Sequence, residues 1–319
     1  MNEFEHLLPD RVINAAETYL GVPMSGLAVP LPSYINRVYE LQSMAGERYV
    51  AKFYRPGRWE AAAIAEEHRF IFDCAAEEIP VITPTPSCRG ETLMATDDGV
   101  VFTVFPKKFG RELEILCGDD WRRIGRVAAR IHLAGARRSA THRTVLTPEE
   151  STAAYLDHLM EGDYIPASCR PEFYEVAERL YSLLEGRFDG IERIRIHGDC
   201  HRGNILERPD EGLMIIDFDD MMTGPPVQDL WLLLPEHVEQ CRRELDLVLD
   251  GYCELRDFDF NTIQLIEPLR AMRMIYFLAW CSTQMDDFKF RANFPDWGSE
   301  AFWRREIGDL RRQLELIRY

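Results

Sequence analysis

A chain of 319 residues exceeds one ordinary hydrophobic core, so two packed lobes are expected. Hydrophobic residues make up 46% and charged residues 29%, a composition that excludes extensive disorder. The 37 Lys and Arg against 54 Asp and Glu leave a net charge of -17, a field that repels polyanions and argues against nucleic acid as a partner.

Residues 1–10 lack a basic n-region and an apolar h-region, so no targeting signal is read there. Residues 37–42 and 47–54 read as two strands around an Ala45-Gly46 turn, and 91–95 and 100–105 as a second hairpin around Asp97-Asp98-Gly99. Between them, residues 58–77 are rich in Ala, Glu and bulky apolar side chains and stop before Pro80, which suits a helix. Beyond Phe105-Pro106 the pattern is helical, over 119–138, 171–185, 236–255 and 267–285, interrupted by one strand-rich island at 194–217. The longest apolar stretch, 271–281, is broken by Arg273 and too short to span a bilayer. A cytoplasmic protein with no membrane partner is expected. The eight cysteines show no Cys-x-x-Cys pair and are expected to be reduced and mostly buried. The expected fold is α+β. A small antiparallel-sheet lobe with one helix occupies residues 1–105, a connector spans 104–110, and a larger, mainly helical lobe occupies 106–319. A small ligand is expected in the cleft between them.

The island holds most of the chemistry. Asp199 and Asn204 are five apart, the spacing at which a kinase catalytic loop places the carboxylate that accepts the substrate hydroxyl proton and the Asn that holds Mg²⁺. Asp217 ends the apolar run 213–216, in the place of the second metal-binding residue. A phosphoryl donor carries clustered negative charge, and the metal that offsets it requires hard oxygen ligands. Asp219 and Asp220 extend the acidic cluster, with Asp219 read either as a second metal ligand or as a loop cap. His197 and His201 are read as structural, not as transition-metal ligands. Asp229 stands at a helix start and is expected to brace the catalytic loop. Upstream, strand alternation puts Lys52 on the face of Val50 and Tyr54, where it needs a charge partner. Glu66 and Glu67 are the candidates, and Glu67 is preferred because Ile71 and Cys74 follow it at helix-neighbour spacing. Ser33, in the loop before the Lys52 hairpin, is expected to donate to a phosphate, and Phe105-Pro106-Lys107 to offer backbone amides to a purine. Glu267, Arg270 and Arg273 fall near one side of a helix. An internal ion-pair ladder is the default reading there, and a grip on an acidic acceptor the alternative.

The motif His197-Gly198-Asp199, with His201, Gly203 and Asn204 after it, then Ile216-Asp217-Phe218-Asp219-Asp220, Gly224-Pro225 and Asp229-Leu230, resembles the aminoglycoside phosphotransferase and choline kinase group of protein-kinase-like enzymes. Ser33-Tyr34, Asn36-Arg37-Val38-Tyr39, Lys52-Phe53-Tyr54-Arg55-Pro56, Glu66-Glu67-His68 and the run from Ile266 to Arg273 make it similar to the bacterial stress response kinase A (YihE) type within that group, over nearly the whole chain. The resemblance implies a protein-kinase-like two-lobed fold and a monomeric cytoplasmic Ser/Thr protein kinase of stress response, using ATP and Mg²⁺. It carries the proton-accepting role to Asp199, metal binding to Asn204 and Asp217, a second active-site position to Asp217 and an ATP-site role to Ser33. The chain departs from eukaryotic protein kinases in lacking the Asp-Phe-Gly glycine, a glycine loop and an Ala-Pro-Glu segment. A kinase of a small alcohol such as choline, homoserine or a sugar is the close alternative. A nucleotide-binding pseudokinase and a two-metal phosphoesterase are more distant ones.

Overall fold

The structure, a computed structural model, describes residues 4, 6–33, 35–208 and 211–317. In chain order the elements begin with α1 (Pro9–Leu20), β1 (Met24–Leu31), β2 (Arg37–Ser43), β3 (Arg48–Phe53), α2 (Ala61–Ala76), β4 (Met94–Ala95), β5 (Val101–Pro106) and β6 (Arg111–Glu112). Then come α3 (Gly118–Gly135), α4 (Ala153–Glu161), α5 (Arg170–Leu184), β7 (Ile194–Ile196), β8 (Ile205–Arg208), β9 (Gly212–Ile215) and β10 (Met222–Gly224). The chain finishes with α6 (Val227–Trp231), α7 (Arg242–Cys253), α8 (Ile266–Ser282), α9 (Phe288–Asn293) and α10 (Glu300–Ile317). The mixed α+β class agrees with the sequence reading.

Two compact units form. The first comprises Met1–Glu114, Ala140–Arg143 and Arg202–Asp220, and the second Ile115–Ser139, Thr144–His201 and Met221–Tyr319. The sequence reading draws a single boundary after residue 105. The first unit instead recruits residues 202–220, because β8 pairs with β6 and Val81 bridges in parallel to Ile215.

In the first unit a five-stranded antiparallel sheet runs in the order β1-β2-β3-β5-β4. Gly46, at φ 89°, supplies the left-handed residue of the β2–β3 turn. One sheet face carries Leu41, Ala51, Phe53, Phe102 and Val104, which pack with Val12, Ala16 and Tyr19 of α1. Phe53 and Phe102 stack there at 5.0 Å. Alternation sends Lys52 to the opposite face, on the side of Tyr54, whose ring lies 4.9 Å from its ammonium.

The expected small lobe had one helix, and the structure has two. α1 starts on Pro9 and ends on Gly21, whose left-handed φ of 70° lets its N–H close on the Glu17 carbonyl at 2.8 Å. The strand β1 was also unread. It lies at the sheet edge, largely exposed, and carries Gly26 and Pro30, so its sequence lacks the alternation of a half-buried strand.

In the second unit α3 and α7 approach backbone to backbone. A Cβ on Gly125 would stand 2.0 Å from the Val248 carbonyl oxygen, and one on Gly251 would stand 2.1 Å from that of Arg122. The two glycines make reciprocal notches. Buried Arg195, in β7, donates to the carbonyls of Ala134 at 2.9 Å and Gly135 at 3.2 Å, fastening the strand to the end of α3. β7 in turn pairs with β10, Ile196 opposite Met222. The residue after this anchored strand is His197, where the conspicuous motif begins.

Replacing Gly125 by Ala tests the notch. Helix propensity favours Ala by roughly 1 kcal/mol, while overpacking a tight contact typically destabilises by about 1–3 kcal/mol. Here the obstacle is a carbonyl of the partner helix, which yields only if the helices separate. A net loss of about 2 kcal/mol is expected, read as a lower denaturation midpoint; an unchanged or raised midpoint would show that the helices relax freely.

Candidate active site

Lys52 organises the first unit's polar centre. Its ammonium lies 3.0 Å from Asp219, 3.2 Å from Asp217 and 3.6 Å from Glu67. Burial alone would discharge it, yet the three carboxylates outweigh burial and hold its pKa well above the usual lysine value. Of the two candidate glutamates on α2, Glu67 is the one that reaches Lys52. Glu66 turns away and accepts from the backbone N–H groups of Thr141 and His142, both at 2.9 Å. That difference follows from the 100° step between successive helix positions.

Two arginines complete the centre. Arg58 meets Asp219 at 3.0 Å and Asp220 at 2.5 Å. Arg143, fully buried, donates to the Asp219 carbonyl at 2.8 Å, reaches Glu67 at 3.5 Å and lies over the Trp59 ring at 4.1 Å. Burial presses the Asp219 pKa upward, but Lys52 and Arg58 more than offset it, so the group stays ionised far below the usual range. Both its oxygens are held by cations. Asp219, read from the sequence as a second metal ligand or a loop cap, stands here as a counter-ion to Lys52 and Arg58. Neither arginine was read from the sequence as part of the site, since each stands outside any recognisable spacing.

Asp217 differs from Asp219 in two ways. Its side chain is 57% exposed against 5% for Asp219, and its backbone sits at φ 61°, in the left-handed region that a non-glycine residue rarely enters. That strain turns the residue out of line with β9. Ile216 donates its N–H to the Asn204 carbonyl at 3.0 Å, so the Asn204 and Asp217 segments run side by side. An exposed carboxylate and an amide oxygen on adjoining segments suit a small hard cation, which keeps waters and takes its other oxygens from a phosphate.

In the second unit, Asp229 accepts from the backbone N–H groups of His197 and Gly198, both at 2.8 Å, and meets the His132 ring at 3.0 Å. Gly198 takes a φ of 82°, and the Asp199 N–H points back to the His197 ring nitrogen at 3.3 Å. The loop is thus fixed before Asp199 emerges from it. Asp199 lies 2.5 Å from Arg273 of α8 and 3.5 Å from His201. Burial raises its pKa, and the His201 contact with the Arg273 charge overrides that to leave it at about 2. It is a carboxylate at neutral pH. The ion-pair reading of the α8 arginines describes Arg270, which meets Glu267 at 3.3 Å and stacks on Trp231 at 4.6 Å. Arg273 instead engages Asp199, a contact between residues 74 positions apart.

The remaining expected residues, Ser33, Phe105 and Lys107, also belong to the first unit. Ser33 is half-buried in the loop between β1 and β2. Phe105 packs edge-on against the buried His68 ring at 6.3 Å. Lys107 was expected to offer its amide to a purine, but that N–H donates to the Arg48 carbonyl at 2.9 Å, extending the β3–β5 ladder. Its ammonium pairs with Glu40. Among the described residues no group of three or more His, Cys, Asp or Glu is arranged to hold a metal ion, and no helix is long and apolar enough to cross a membrane.

Comparison with known proteins bears on what this arrangement does. Residues 28–271 match the model of the phosphotransferase enzyme family (APH). The chain is 36% identical, over 98% of its length and 94% of the relative's, to stress response kinase A of Escherichia coli K12. It is 35% identical, with the same two shares, to the protein named serine/threonine protein kinase RdoA in Salmonella typhimurium LT2. Among solved structures, the amicoumacin kinase hAmiN in complex with AMP-PNP, Ca²⁺ and Ami superposes with a TM-score of 0.74 at 20% identity, covering 94% of this chain and 93% of that one. A microcompartment-associated aminopropanol kinase gives 0.69 at 18%, covering 95% of each. At these identities the two structures speak for the fold.

His68, on α2 beside Glu67, gives a pH test. Burial, then the charges of Lys52 and Arg143, push its pKa from 6.5 to about 3. Between those values the unfolded chain binds a proton that the folded chain refuses, so stability falls as pH drops from 6.5 toward 3. Of the stability lost between pH 7 and pH 4.5, about 2–3 kcal/mol is expected to be absent in His68→Gln, by denaturant titration at both pH values. Parallel losses in the two proteins would mean that His68 is not held neutral.

Proposed function

The chain belongs to the phosphotransferase enzyme family, and from that premise we propose that it is an ATP- and Mg²⁺-dependent Ser/Thr protein kinase of bacterial stress response. The observation that carries the reading is the Lys52 ammonium held between Glu67 and the outward-turned Asp217. A lysine so fixed is suited to the phosphates of a nucleotide, and a carboxylate in a left-handed turn beside Asn204 to the accompanying metal. The relatives named as kinases over nearly the full chain support the same assignment.

In this proposal residues 1–105 bind the nucleotide, with Lys52 on its phosphates, Glu67 orienting Lys52, and Ser33 and Phe105 on the phosphate and base sides. Residues 106–319 supply Asn204 and Asp217 for Mg²⁺, Asp199 for the acceptor and the acceptor-binding surface. When bound, Mg²⁺ supplies charge neutralisation on the transferring phosphoryl group. Asp199 hydrogen-bonds the acceptor hydroxyl and orients its oxygen. As the oxygen–phosphorus bond forms and the γ-phosphorus bond to the bridging oxygen breaks, Asp199 takes the hydroxyl proton and ADP departs. A carboxylate with a pKa of about 2 is a weak base, so orientation is the larger share of its work and proton acceptance comes late. The protein is proposed to act as a cytoplasmic monomer. A kinase of a small alcohol would use the same groups, and brisk turnover of one metabolite with none on proteins would favour it.

Wild type and Asp199→Asn are to be compared for labelled phosphate transfer from ATP with Mg²⁺ to a mixed protein acceptor. Loss of the carboxylate is expected to lower transfer by ~10²-fold or more and to leave nucleotide binding intact. Equal activity in the variant would falsify this mechanism.

A further inference from the structure

Arg273 is built unlike the other cations of the site. Lys52, Arg58 and Arg143 are largely or wholly buried among carboxylates and carbonyls, whereas the Arg273 side chain is 34% exposed. It donates from Nη2 to Asp199 Oδ1 at 2.5 Å. A guanidinium has five N–H donors in a planar fork, so a side chain that is 34% exposed and places Nη2 on Asp199 has further donors beside the carboxylate proposed to receive the acceptor. Arg270, one turn earlier on α8, is spent on Glu267 and on the Glu236 carbonyl and does not compete for a ligand. The rigid helix fixes where those donors point.

Geometry and charge together restrict what fits. The acceptor hydroxyl comes within about 2.7 Å of Asp199, and an anion gripped by the further N–H groups lies within about 2.8 Å of the same guanidinium. Hydroxyl and anion then belong to one small molecule or to neighbouring residues of a peptide. A chain of net charge -17 repels acidic acceptors at long range, so a cation at the point of contact is needed to admit one.

We propose that Arg273 recognises the acceptor. One tine of its fork holds Asp199, and the others bind a carboxylate or phosphate adjacent to the hydroxyl that is phosphorylated. The acceptor is therefore an acidic one, a Ser or Thr flanked by an acidic residue. The inference rests on the kinase reading, and deepens it. The bland alternative is that Arg273 only steadies Asp199, in which case its loss lowers transfer to every acceptor by one factor.

The test uses the full chain and two peptides that differ only in Glu or Gln beside a single Ser, together with serine and serine amide as small-molecule counterparts. Binding is read by calorimetry with ADP and Mg²⁺, and transfer with labelled ATP. The Glu peptide is expected to bind about tenfold or more tightly than the Gln peptide. Arg273→Gln is expected to abolish that ratio, and Arg273→Lys to keep part of it. A preference confined to serine over its amide would support the anion subsite with a small hydroxy acid as its source. Equal binding of both members of each pair to wild type, or a ratio that survives in Arg273→Gln, overturns the proposal. So does a uniform loss of transfer with the ratio intact. Acidic preference in binding without transfer to any acceptor would support the subsite and sink the kinase reading alone.

Discussion

The burial of one ammonium constrains the first unit more than any other interaction. Lys52 stands on the strand face opposite the apolar core, and desolvation would strip its proton unless carboxylates surrounded it. Glu67, Asp217 and Asp219 do so, and Arg58 and Arg143 in turn keep those carboxylates from repelling each other. The side-chain exposures of 1%, 5% and 21% for Glu67, Asp219 and Asp220, against 57% for Asp217, make Asp217 the member of the network most open to solvent.

The second unit fixes its carboxylate by different means. Asp229 gathers two consecutive backbone N–H groups and the His132 ring, and His132 also meets the Tyr252 hydroxyl of α7 at 2.9 Å. The helix pair with reciprocal glycine notches is thereby linked to the loop that presents Asp199. Backbone hydrogen bonds inside a buried network are rigid because every broken bond leaves an unsatisfied polar group. A short loop held in this way positions Asp199 through polar contacts as well as through the buried Ile196 and Cys200 that flank it.

Much of this was legible in the sequence, and the reasons differ by residue. The β2–β3 and β4–β5 pairs showed themselves through alternation and turn residues, and spacing behind apolar strands singled out Asp199, Asn204 and Asp217 as candidates. The preference for Glu67 over Glu66 needed only helix periodicity. Edge strand β1 carried no periodic signal because so little of it is buried. Arg143 and Arg58 were invisible because the contacts that bring them to Asp219 span 76 and 161 residues, distances over which no local pattern operates. Lys107 was misplaced for the opposite reason. A connector that looked free to meet a ligand continues the strand ladder by one more hydrogen bond.

The discontinuous make-up of the first unit also bears on how the chain is synthesised. Lys52, Glu67 and the sheet leave the ribosome early, whereas Asp217, Asp219 and the Phe218 ring that meets Phe70 edge-on at 5.5 Å arrive some 150 residues later. Until then the nascent ammonium has only Glu67 of its three partners, and the Phe70 side of α2 lacks its cover. Vectorial synthesis thus delivers an unfinished first unit that waits for a distant hairpin. A fragment cut after residue 105 would freeze the protein at that waiting stage.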